Sequence, residues 1–524
     1  MTEKIHHNGP PEVQRDLSRR AFLKLTGGGG ALLISLVPGV SMVAAQDGPE
    51  DVTPNLDEVT ILAGSPFPPP TPRDENTYWQ EIESRLGTRI NFQLVPRSDY
   101  DALLGTTLAS GDLPDLLNGD VRTATIRQAF LDGAFVLLGN FGLPEDTRGL
   151  PGLPNISTEA WLYAGLNGTI AGIPTGSHQF DDASFVRTDW LAEAGMDLPT
   201  TLEELTALSE AFVANNPGSF AYSLAGAGSR HDDGGGWRAY TDPFGIPNNW
   251  ELQEDGTLLH KDVHPNSRAA YENMASLVSL NIFNPDFLSL NSNQANEEFA
   301  AGLSGGLVHN MASGYDLWGA RLRDLVEGAD VELFDPVETE GYQRSNWLRP
   351  GFNTATQIRF DYADDENKLW DLIRVVDFWF DESTREFVNF GFEGVHHVVG
   401  ESGALEQTDK GSQDIAWIRA WSPRHVNKQV DAPYVRPETF AKITENMARL
   451  EKFGVADPTW GLVPELGSDD PSATLSEFAD NTIGRMVVGE QSFDEWDAYV
   501  EEWYSRGGRL LTDTMTALYQ EFKT

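Results

Sequence analysis

The sequence predicts an α/β protein of two lobes, built on doubly wound sheets and completed by a helical C-terminal part. Three observations carry this. After an N-terminal leader the chain alternates strand, helix, strand, helix, strand, which is the order of a parallel, doubly wound sheet. A second stretch of similar character runs from Phe185 to Val308, and from Glu366 onward the pattern is mostly helical. The chain has 524 residues, more than one ordinary hydrophobic core accommodates.

Each element has its own signal. Val59-Thr60-Ile61-Leu62-Ala63 reads as a buried strand, and a proline-rich loop follows over 66–72. Tyr78, Trp79, Ile82 and Leu86 fall at helical spacing, and Gly87 supplies the stop. Ile90, Phe92 and Leu94 alternate as in a strand, Ser98 opens the next helix, and 113–117 is another apolar strand. In the second stretch, Phe185-Val186 ends a short strand, and Thr201-Leu202-Glu203-Glu204 is a capping box at a helix start. A long helix is expected over 267–281 and a short strand at Gly306-Leu307-Val308. Further helices are expected at about 366–388, 437–453, 475–488 and 493–521, with Pro437 suited to a first helical turn. The organisation that follows is an export signal over 1–45 and a flexible leader over 46–57. Lobe 1 takes 58–172 with about 306–360, and lobe 2 takes 173–305 with about 361–524.

Composition narrows the function. With 37 Lys+Arg against 80 Asp+Glu, the formal net charge is −43. Such a surface repels phosphate backbones, so no nucleic-acid partner is expected. The chain has no cysteine, which removes disulfides, thiolate metal sites, cysteine nucleophiles and a lipid anchor through cysteine. Ser18-Arg19-Arg20-Ala21-Phe22-Leu23-Lys24, a weakly apolar centre over 31–37, and Val43-Ala44-Ala45 before Gln46 together resemble a twin-arginine signal. The expected location is therefore periplasmic or extracellular, without a cysteine-linked lipid, where ATP and NAD(P)H are scarce.

Six blocks carry a family resemblance, and they occur in order along nearly the whole exported chain. They are Leu108-Ala109-Ser110-Gly111-Asp112-Leu113-Pro114-Asp115, Gly168-Thr169-Ile170-Ala171-Gly172-Ile173-Pro174, and Arg187-Thr188-Asp189-Trp190-Leu191 with Leu198-Pro199-Thr200-Thr201. Then come Phe244-Gly245-Ile246-Pro247-Asn248-Asn249-Trp250, Gly391-Phe392-Glu393-Gly394-Val395-His396, and Phe493-Asp494-Glu495-Trp496 leading to Gly507-Gly508. Together they resemble the bacterial extracellular solute-binding proteins of ABC sugar and oligosaccharide importers. The resemblance implies a two-lobed fold like that of the periplasmic binding proteins, a sugar ligand in the interlobe cleft, a membrane permease as partner, a monomer, no cofactor and no catalysis. Some oligosaccharide-binding relatives carry a calcium loop after the capped helix. Here that region reads Asn215-Asn216-Pro217-Gly218-Ser219-Phe220 without spaced carboxylates, so no metal is expected there.

A sugar site needs aromatic faces for C–H surfaces and planar polar groups for hydroxyls. The chain has 14 tryptophans. Those in loop-like surroundings are the ligand candidates: Trp250 first, then Trp421 and Trp318, with Trp237 and Trp417 behind them. Asp120, just after an apolar strand, is the candidate hydroxyl acceptor. His396-His397 and His231-Asp232-Asp233 lack metal-ligand spacing, and there is no nucleophile elbow, Walker loop or dinucleotide fingerprint. Two other readings stay open: an exported glycosidase or lyase, since carboxylates are too abundant to exclude a catalytic pair, and an amino-acid or peptide binder on the same architecture.

Overall fold

The computed structural model describes residues 55–65, 69–121, 123–176, 182–231, 234–348, 352–400, 405–415, 421, 437–466 and 470–523. The twin-arginine segment and Trp417 lie outside the described residues.

The first sheet begins as the sequence pattern implies. Strand β1 (Glu58–Ser65) leads to helix α1 (Thr77–Leu86), β2 (Arg89–Pro96), α2 (Arg97–Ser110), β3 (Leu116–Gly119) and α3 (Ala124–Leu131). The Asn76 side chain accepts from the Trp79 amide to start α1, and Gly87 at φ 67° ends it in the left-handed region that glycine tolerates. Tyr78, Ile82 and Leu86 form the buried stripe between these caps. β1 pairs in parallel with both β2 and β3. Two later strands complete the sheet, β4 (Ile173–Gly176) and β12 (Phe352–Ile358), giving the order β2-β1-β3-β12-β4. β12 runs antiparallel to both neighbours, so the sheet is mixed.

The second sheet holds β5 (Asp182–Arg187), β6 (Phe220–Tyr222), β9 (Ser304–Asn310) and β10 (Val331–Phe334) in the order β10-β5-β9-β6. Its helices include α4 (Thr188–Ala194), α5 (Leu202–Asn215), α6 (Pro265–Ser279) and α7 (Ser292–Ala300). The capping box is present: the Thr201 side chain accepts from the Glu204 amide and the Glu204 carboxylate reaches back to the cap. A hairpin of β7 (Trp250–Leu252) and β8 (Leu258–His260) lies beside α6 in the chain.

Both sheets are covered on two faces. In β1, Val59, Ile61 and Ala63 join the core containing Trp370 and Trp379, while Leu62 joins the core of Leu117 and Ile126 on the other side. In the second sheet, Val186, Tyr222 and Val308 face one core, and Phe185, Leu307 and Leu333 face another. Helix α8 (Glu366–Asp377) packs on the first sheet. Helix α9 (Pro437–Leu450) packs on the second through Ile443 and Leu450. Helices α10 (Ser472–Val487), α11 (Trp496–Trp503) and α12 (Arg509–Phe522) also belong to the second half.

These pairings differ from the expected lobe boundaries. β9 and β10 lie in the second sheet, although 306–360 was assigned to lobe 1, and β4 lies in the first, although lobe 2 was begun at 173. The helical tail is shared between the halves. Strands of three to seven residues state their burial and direction of alternation, but nothing in them names the sheet they join. The chain passes between the halves from β4 to β5 and from β10 to β12. On the second passage β11 (Asn346–Trp347) pairs in parallel with β13 (Gly454–Val455), which lies between α9 and α10.

Candidate ligand-binding site

The hairpin of β7 and β8 builds one wall of a pocket of about 570 Å³. Asn249 adopts φ 59° and turns the chain after Pro247, which brings Trp250 into register with His260 across the hairpin. The Trp250 ring meets the His260 ring edge-on at 4.7 Å. His260 in turn stacks on Trp503 of α11 at 5.2 Å and 24°. Leu475, Leu511 and Met515 continue the apolar wall from α10 and α12.

The lining also includes Asp457, Thr459, Leu462 and Val463, and Arg127 on α3. The segment from Asp457 to Val463 is fastened to both halves: Asn249 donates to Asp457 at 3.1 Å and Asn248 to the Val455 carbonyl at 2.9 Å. Asn167 donates to the Val463 carbonyl and accepts from its amide, both at 2.8 Å, and Trp460 sits edge-on to Tyr163. The pocket therefore lies where Arg127 of the first half and a segment bonded to both halves meet the hairpin and the C-terminal helices. Arg127 and Asp470 meet at 2.9 Å between α3 and the residues before α10.

Its polar groups are strongly conditioned by burial. Burial alone would raise the Asp262 carboxyl, but Lys261 at 3.0 Å and Arg230 at 2.7 Å hold it well below the usual carboxylate range. His260 falls to about 4, chiefly through burial, and is neutral at pH 7. Burial pushes Asp457 up, against hydrogen bonds from the Thr459 hydroxyl at 2.7 Å and Asn249 at 3.1 Å. Behind the wall, Arg230 donates to the Tyr271 hydroxyl, which also touches His231 at 3.2 Å. His231 stacks on Trp347 of β11 at 4.7 Å and 28°. A second, smaller cavity of about 20 Å³, room for one water, lies beside Arg238. There Arg238 pairs with Asp182 and Asp242 and donates to Asn346.

Of the residues expected at the site, the structure brings Trp250 to this pocket. Trp237 is fully buried and donates its indole N–H to the Ala225 carbonyl at 2.8 Å. Trp421 is fully buried between Phe92 and Trp379. Trp318 lies in the core of the second sheet, tilted against His309. These three pack in the cores away from this pocket: a tryptophan in an irregular segment can still point inward. Asp120 stands at the end of β3, where its carbonyl accepts from the Thr123 amide and hydroxyl, and it does not line the pocket.

Trp503, His260 and Asp457 were not selected from the sequence. Trp496, Tyr499 and Trp503 recur at helical spacing and read as a core stripe, while His260 and Asp457 have no distinguishing neighbours. His396 is fully buried, accepting from the Phe392 amide and facing Asp414 at 3.3 Å. Among the described residues, no group of three His, Cys, Asp or Glu is arranged to hold a metal ion.

No family model matches the chain. The polygalacturonan/rhamnogalacturonan-binding protein YtcQ of Bacillus subtilis is 21% identical over 85% of this chain and 88% of its own length. Lipoprotein LipO of the same organism is 21% identical over 89% of this chain and 93% of its own. Among solved structures, an extracellular solute-binding protein from Bifidobacterium longum subsp. infantis superposes with a TM-score of 0.66 at 16% identity, covering 89% of this chain and 99% of that one. The Streptococcus pneumoniae ABC-transporter substrate-binding protein FusA, in complex with kestose, gives 0.62 at 16%, covering 89% and 99%. The fold is that of the two-lobed solute-binding proteins. The homologues and structural neighbours of this chain are extracellular solute-binding proteins of ABC sugar transporters.

One of these relatives corrects the expected location. LipO, aligned over most of both chains, is a lipoprotein. The expectation of a protein exported by the twin-arginine route without a lipid anchor is therefore withdrawn.

Proposed function

We propose that the chain is the solute-binding component of an ABC importer. It holds a sugar or oligosaccharide between its two halves and passes it, chemically unchanged, to a membrane permease. The observation that carries this reading is the pocket where Arg127 of the first half meets the hairpin and the C-terminal helices of the second, lined by Trp250 and Asp457. A tryptophan face accepts the C–H surface of a pyranose or furanose ring, and Asn249 with Asp457 offers a donor and acceptors for ring hydroxyls. Asp120, at the carboxyl end of β3, is a further acceptor once the halves approach. The names of the relatives support a sugar ligand, and hinged closure is the recurring behaviour of such proteins.

The test is a panel of neutral and acidic oligosaccharides, amino acids and peptides, followed by calorimetry and tryptophan fluorescence. A saturable response to one or more sugars, with no new reducing ends or unsaturated products after long incubation, is the expected result. Product formation would make the chain an enzyme. A response confined to an amino acid or peptide would remove the sugar.

A further inference from the structure

We propose that this pocket selects uncharged oligosaccharides and rejects uronates, an inference that rests on the sugar-binding reading above. A uronate carries a carboxylate on every ring, and proteins hold such groups with arginine or lysine donors. Two permanent cations line the pocket, Arg127 and Lys261, and each is already ion-paired to an aspartate of the same pocket. Arg127 pairs with Asp470 at 2.9 Å and Lys261 with Asp262 at 3.0 Å. Arg230, behind Lys261, is likewise committed, to Asp262 and Asp480. His260 is neutral at pH 7.

The anionic side of the lining is larger. Asp262, Asp457 and Asp470 all face the space, and Asp457 is held by a hydroxyl, a backbone amide and the Asn249 amide, with Lys523 acting on it electrostatically. A chain of uronates entering here meets more carboxylates than cations, and must break an existing pair to gain a partner. The protein's field adds to this, with a net charge of −43 that opposes the approach of a polyanion. A neutral sugar has no such cost. Its hydroxyls donate to the aspartates and its ring faces meet Trp250.

The experiment uses the full chain and tetrasaccharides matched in length: mannotetraose and nystose against tetragalacturonate, titrated at low and at high sodium chloride. At least one neutral tetrasaccharide is expected to bind about tenfold tighter or more than tetragalacturonate, a gap of about 1.4 kcal/mol. Its affinity should be insensitive to salt, while any tetragalacturonate binding should strengthen as salt screens the repulsion. Tetragalacturonate binding as tightly as the neutral sugars, and weakening with salt, overturns the selectivity and leaves the sugar-binding reading intact. No binding of any of the three, with a response to an amino acid or peptide in the same assay, overturns both.

Discussion

His260 sits between two indoles that do different work. Both line the pocket, but Trp250 retains 7% of its surface while Trp503 is fully buried. Trp250→Ala is expected to weaken sugar binding by about 1–3 kcal/mol, through lost stacking and apolar contact, and to lower the melting temperature as well, because most of the ring is buried in the core of the second half. Paired calorimetry and thermal denaturation check this, and wild-type affinity in the variant would remove Trp250 from the site. Asp377 offers a second residue-scale test. Its Oδ1 accepts from the amides of Gly152 at 2.9 Å and Leu153 at 2.7 Å, yet burial pushes the carboxyl up to about 6. The folded state thus holds this proton more tightly than the unfolded chain. Its contribution to stability is present below about pH 4 and is lost as pH rises through about 6. Asp377→Asn keeps the accepting oxygen and removes the titration. Relative to wild type, the variant should gain stability between pH 4 and 7, by at most about 3 kcal/mol. Urea unfolding across that range measures it, and a pH-independent difference would refute the assignment. The place of Trp250 beside a turn was legible because Pro247-Asn248-Asn249 precedes it. The three buried tryptophans were not separable from it, because loop-like neighbours say little about which way a ring points.

The second sheet depends on a missing side chain. A Cβ placed on Gly306 in β9 would lie 2.2 Å from the Tyr222 ring, which packs flat over that strand and donates its hydroxyl to the Phe185 carbonyl at 2.9 Å. Gly306→Ala is therefore expected to cost about 1–3 kcal/mol by overpacking, read as a lower melting temperature with no direct effect on the pocket. Unchanged stability would mean that Tyr222 moves freely. Elements of this kind were readable where periodicity met a clear stop, as with the stripe of α1 and Gly87, or a reciprocal cap, as with Thr201 and Glu204. Their partners were not. The alternation of Gly306-Leu307-Val308 marks a strand, but only the folded chain puts it between β5 and β6. The antiparallel entry of β12 was equally invisible, since direction depends on where a connection ends.

The passage from β10 to β12 is held through β11 to β13. A rotation about the connections between the halves would bring them together without disturbing either covered sheet. Ligand is expected to make the molecule more compact, measured as a smaller radius of gyration in small-angle scattering with and without a bound sugar. An unchanged radius under saturating sugar would mean that the halves are already fixed. The two-sheet plan was legible in outline from the repeated strand–helix order. The boundaries were not, because the chain leaves the first half, builds the second, and returns.

That return governs when each half can fold. β12 fills the gap between β3 and β4, and its Gln357 donates to the Gly119 carbonyl across 238 residues of sequence. The second sheet draws all its strands from one uninterrupted stretch, β5 to β10. Contacts over long separations carry a larger loop-closure cost and form later. During synthesis the N-terminal strands emerge first, yet must wait for β12 before their sheet is whole. The strands of the later-made sheet can pair ahead of them, although α9 to α12, which cover that sheet, follow β12 in the chain. Pulsed hydrogen exchange during refolding should accordingly show protection at Phe185 and Leu307 before Leu117 and Thr356, and the reverse order would refute this inside-out sequence. Until β12 arrives, β3 and β4 lack their shared partner, and this is the interval in which a nascent chain is most exposed to pairing with another copy of itself.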